Sequence, residues 1–146
     1  MKSTIRTFVL AAFAAATIAS AHSASAQIYS HNTSGDSYLQ SGGNVTVNAV
    51  IVGQAGNFTI GGQQSFFTSS TKPVTVDCWM STVAGGSGLP YGLLSIATIP
   101  TDGFVTLSFY GWYSVSGSTE LYLVCSAPAS NGFVLATNGN ITAARN

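Results

Sequence analysis

From residue 44 onward, apolar side chains recur at every second position in short runs. Clusters of Gly, Pro, Asn, Asp and Ser cut the runs apart. The segment "PVTVDCWMST" (73–82) shows the pattern best: Val74, Val76, Cys78 and Met80 share one face, and Thr75, Asp77, Trp79 and Ser81 the other. A period of two marks a strand with one buried face, and no helical period of apolar residues appears after residue 26. Further β runs are read at 44–52, 57–60, 64–68, 93–99, 103–125, 132–137 and 140–143. Gly61-Gly62 is expected to turn the chain between 57–60 and 64–68, and "AGGSGLPYG" (84–92) to form a loop. Short strands at about ten-residue spacing predict an all-β chain of eight or nine strands. An antiparallel β-sandwich of jelly-roll type is the architecture expected.

Residues 1–26 read as a cleaved export signal. Lys2 and Arg6 precede the apolar run "FVLAAFAAATIASA", and "ASA" at 24–26 fits a signal-peptidase site. Three segments follow from this: the signal at 1–26, a loose polar arm at 27–43 with a short strand near Tyr38, and the β-sandwich domain at 44–146. The expected location is periplasm, cell surface or extracellular medium. No later stretch is apolar for long enough to span a membrane as a helix, so no membrane insertion is expected after signal removal.

Charge is scarce, at 5% of the chain against the usual quarter or so. Beyond the signal only Lys72 and Arg145 are basic, facing Asp36, Asp77, Asp102 and Glu120. Two cations build no basic patch, which argues against a nucleic-acid partner. A weakly self-repelling surface of Ser, Thr, Asn, Gln and Gly instead tolerates copies of itself or neutral polymers.

"GFVTLSFYGWYSVSGSTELYLVC" (103–125) is expected to form a hairpin around Val115-Ser116-Gly117, with Gly117 left-handed. In that register Leu107, Phe109, Leu121, Leu123 and Cys125 line the core face. The outer face then pairs Trp112 with Glu120 and Tyr110 with Tyr122. Cys78 and Cys125 both fall on core faces, and an exported chain permits the disulfide between them. An immunoglobulin fold does not suit the spacing, because Trp79 adjoins the first Cys and Leu123 stands where that fold carries a Tyr.

The stretch from Cys78 to Asn146, with its early Cys, "TELYLVC" and closing "NGNITAARN", resembles a group of small exported two-cysteine proteins of Gram-negative bacteria. The resemblance implies a compact jelly-roll sandwich and carries no activity with it.

Enzyme chemistry lacks its parts. His31 is the one His beyond the signal, and no G-x-S-x-G elbow occurs. His, Cys and carboxylates are too scattered for a metal site, and no cofactor is expected. Asp77 and Glu120 would be the carboxylates of an exported hydrolase, while Asp102 in "PTDG" fits a turn. The candidate binding residues are therefore Tyr110, Trp112, Tyr122 and Glu120, with Ser108 and Ser114 beside them. Three uses are open: coverage by a second sheet or the arm, a self-association surface, or stacking under a neutral glycan. The function expected is non-enzymatic: structural, adhesive or self-assembling, with carbohydrate binding as the alternative.

Overall fold

The computed structural model describes residues 27–39, 42–87, 94–128 and 132–146, so the expected signal at 1–26 lies outside the described residues. Among the described residues nine strands form: β1 (Ile28–Thr33), β2 (Ser37–Leu39), β3 (Val45–Val52), β4 (Gly56–Thr68), β5 (Val74–Ser81), β6 (Leu94–Ile99), β7 (Phe104–Val115), β8 (Thr119–Ser126) and β9 (Val134–Arg145). One sheet runs β1-β9-β4-β7, with β2 beside β1 along the same side of β9. The second runs β3-β8-β5-β6. All pairings are antiparallel. Of the consecutive strands only β5 and β6 pair, and most other connections pass from one sheet to the other. This is the interleaved connectivity of a jelly roll.

Alternation builds the core. Phe58, Ile60 and Phe66 of β4, Val76 and Met80 of β5, and Leu121 and Leu123 of β8 are all buried between the sheets. Each such side chain contributes roughly 1.5–3 kcal/mol by leaving water. Cys78 and Cys125 lie directly opposite one another on β5 and β8, with Cα atoms 4.1 Å apart, and form the disulfide. The bridge staples neighbours within one sheet and turns both sulfurs into the core.

Four local expectations are corrected. Strands β7 and β8 do not pair as a hairpin: β7 lies beside β4, and β8 between β3 and β5. An arched crossing keeps both apolar faces inward on opposite sheets, which alternation alone cannot distinguish from a hairpin. Gly117 is accordingly not left-handed; the positive-φ glycines described are Gly42, Gly56 and Gly85. Gly61-Gly62 is not a turn but the middle of β4. A Cβ at Gly62 would run into the Asn140 carbonyl and stand 2.8 Å from the Phe109 ring, so these glycines serve close packing within the sheet. Finally, residues 27–39 of the expected arm at 27–43 are not loose. β1 holds six residues in register with β9, β2 covers the expected short strand at Tyr38, and Leu39 is buried.

Candidate binding face

The expected aromatic strip divides between the two sheets. Trp112 and Tyr110 project from the outer face of β7, with 73% and 62% of their surfaces exposed. Glu120 and Tyr122 stand on β8 in the other sheet, where Glu120 faces Ile51, and Tyr122 faces Ala49 and Ser81. The pairs Trp112–Glu120 and Tyr110–Tyr122 therefore do not exist. Trp112 is opposite Thr59 instead, and Tyr110 opposite Gly61. The Tyr122 hydroxyl donates to Glu120 Oε2 at 2.8 Å. That bond to the carboxylate, then burial, then the negative charge of Glu120, raise the Tyr122 phenol above its ordinary range.

Register turns the outer face of the five-stranded sheet into cross-strand rows. One row reads Trp112, Thr59, Ala144, Ile28, and the next Tyr110, Gly61, Thr142, Ser30. The third is Ser108, Gln63, Asn140, Asn32, followed by the pair Thr106–Ser65. The last is Phe104, Phe67, Leu135, Tyr38, with the Phe133 ring 5.8 Å from Phe67 and 5.9 Å from Tyr38. Eight residues of β7 separate the Trp112 and Phe104 rows, about 27 Å at strand spacing. Aromatic side chains thus mark both ends of a polar middle. None of the charged side chains belongs to these rows.

The middle is concave because β9 bulges. Gln64 pairs with Gly139 and Phe66 with Ala136, so Thr137 and Asn138 together oppose the single residue Ser65. Gln64 points inward, fully buried, and its Nε2 donates to the Thr137 carbonyl at 2.8 Å, filling the bulge from beneath. Above it opens a depression of about 370 Å³ lined by Asn32, Gln63, Ser65, Thr106, Asn138 and Asn140. Asn140 Oδ1 accepts from the Gln63 backbone N–H at 3.0 Å, and the Ser65 and Thr106 hydroxyls bond each other at 3.0 Å. Among the described residues, the side-chain amides of Asn32, Gln63 and Asn138 bond no other group. Sequence reading missed this cluster because Gln63 and Asn140 lie 77 residues apart. One signal was present: the core parity of Phe58, Ile60, Phe66 and Thr68 continues through Gly61-Gly62. A single strand there sends Gln63 and Ser65 outward.

Of the remaining candidates, His31 and Glu120 line one depression with Tyr29 and Ile51, and the acidic side chains do not pair. Asp77 sits opposite Ser126, six residues along β8 from Glu120. That is about 20 Å at strand spacing, beyond the separations of about 5–9.5 Å that glycosidic carboxylate pairs use. Asp102 holds a left-handed turn at φ 44°, with its N–H on the Ser70 carbonyl. His31 Nδ1 lies 3.0 Å from Asn48 Oδ1, tying β1 to β3. No group of three or more His, Cys, Asp or Glu side chains suited to a metal occurs among the described residues.

No protein-family model and no curated protein matches the chain. Solved structures do match. The structure of the infectious bursal disease virus Gx strain aligns with TM-score 0.60 at 12% identity, over 82% of this chain and 33% of that one. The T=1 particles derived from the same virus align with TM-score 0.61 at 14% identity, over 84% and 32%. Its VP2 subviral particle aligns with TM-score 0.56 at 13% identity, over 84% and 33%. The likeness is one of fold, and this chain spans about a third of the length of those viral chains.

Proposed function

We propose that this chain is an exported, non-enzymatic jelly-roll module with a structural or adhesive role, and that it associates with copies of itself through β7. The carrying observation is the character of that strand. It runs 12 residues along a sheet edge, carries no charge and no proline, and projects Trp112 and Tyr110 into solvent. The Ser108 carbonyl, which accepts from Ser95 Oγ at 3.1 Å, points away from β4. The backbone groups of Tyr110, Trp112 and Ser114 share that direction by strand parity. Soluble proteins usually blunt such an edge with charge, proline, a bulge or a covering segment; β7 has no charge, proline or bulge, and β6 reaches it at Ser108 through Ser95. The particle-forming viral proteins of like fold support a module that works by surface contact. Export rests on the signal-like segment at 1–26.

Sedimentation velocity of residues 27–146 over a concentration series tests this. Reversible growth in mass is expected, with Trp112→Ser shifting the transition to about tenfold higher concentration. A wild-type chain that stays monomeric throughout removes the proposal.

A further inference from the structure

We infer that the depression in the outer face of the five-stranded sheet binds a neutral polysaccharide, using Tyr110 as a stacking platform and the amides of Asn32, Gln63 and Asn138 as hydroxyl partners. Cδ2 of the Tyr110 ring stands 3.6 Å from where a Cβ at Gly61 would be. Gly61 puts no side chain against the ring, and 62% of Tyr110 faces solvent. A ring exposed in that way presents an electron-rich apolar surface suited to the C–H face of a pyranose.

The next row toward the polar middle supplies the complementary chemistry. Gln63 and Asn32 occupy it, and the bulge brings Asn138 beside them. A primary amide both donates and accepts, matching hydroxyls that do the same. None of the side chains lining the depression is ionisable, so no cation is present to hold a uronate or sulfate. The site therefore selects neutral sugars. The polar rows that line it lie between the Tyr110 and Phe104 rows, six residues apart on β7, about 20 Å at strand spacing, a span that suits an extended chain rather than a single ring. Tyr110 stands on β7 beside the proposed self-association contact, so Gln63→Glu, on β4 and away from that edge, is the variant that separates the two readings.

The test is native affinity electrophoresis of residues 27–146 through gels containing β-glucan, mannan, galactan or, as the charged control, alginate. Retardation by at least one neutral polymer and none by alginate is expected. Tyr110→Ala and Gln63→Glu should each weaken the retardation about tenfold. Both positions are exposed, and circular dichroism checks that the fold is kept. Retardation by alginate alone, by no polymer, or unchanged in both variants overturns the inference. Sedimentation of Gln63→Glu should match wild type; a lost oligomer with no glycan retardation would show that the depression receives a second copy instead.

Discussion

Phe109 of β7 occupies the space that a side chain at Gly62 of β4 would need. A Cβ on Gly62 would stand 2.8 Å from the Phe109 ring and collide with the Asn140 carbonyl of β9 on its other side. Backbone cannot yield as a flexible side-chain end can. Gly62→Ala is therefore expected to destabilise the fold by about 2 kcal/mol, within the range for overpacked cores. Urea denaturation measures it, and a variant as stable as wild type would contradict the packing described.

The Cys78–Cys125 bridge closes a separation of 47 residues. In the chain-entropy account such a closure contributes about 4 kcal/mol. Replacing both cysteines by Ala should lower the unfolding free energy by an amount of that order while leaving the strand spectrum intact under native conditions. A loss under about 1 kcal/mol would show that the cross-strand pair is held by packing alone.

Gln64 is fully buried, and its Nε2 faces the carbonyls of Thr137, Ser65 and Asn138. Gln64→Glu places an acceptor-only carboxylate among acceptors, at a cost of about 3 kcal/mol or more near neutral pH. Both burial and the carbonyls favour the protonated acid, so its folded pKa is raised above the unfolded value. The stability of this variant is then fullest below the unfolded pKa, near 4.3 for Glu, and lost as pH rises through the folded one. Thermal melts at pH 4 and pH 7 should differ in that direction, relative to wild type.

Tyr122 donates its hydroxyl to Glu120, and its phenol titrates above the ordinary value of 10.0. Glu120→Gln should lower that titration, read as the ultraviolet difference between the two proteins on raising the pH. Because the folded pKa is raised, the stabilisation accompanying the proton is lost as pH climbs through it. An unchanged phenolate curve would mean that the hydrogen bond is not held in solution.

The faces of these strands were legible from alternation. Leu107, Phe109, Leu121, Leu123 and Cys125 are all buried where a period of two places them, because burial follows pleat parity whatever the partner. Partner choice was not legible. The β7–β8 connection spans only residues 116–118, which serves a hairpin or an arch equally well, and long-range pairing decides between them. That decision also moved Tyr122 and Glu120 away from Trp112. The amide cluster depends on registers joining β1, β4, β7 and β9 and on a bulge opposite Ser65. Treating Gly61-Gly62 as punctuation hid the one strand that carries Gln63.

Trp112 is central to the proposed contact, and its accessibility reports that contact directly. The measurement is acrylamide quenching of tryptophan fluorescence for residues 27–146 over a dilution series, with Trp112→Phe subtracted to remove the half-buried Trp79. In the isolated chain Trp112 is 73% exposed, so strong quenching is expected when dilute. Protection that grows with concentration, in step with mass, is the result predicted. Full quenching at every concentration, with mass constant, would contradict the account.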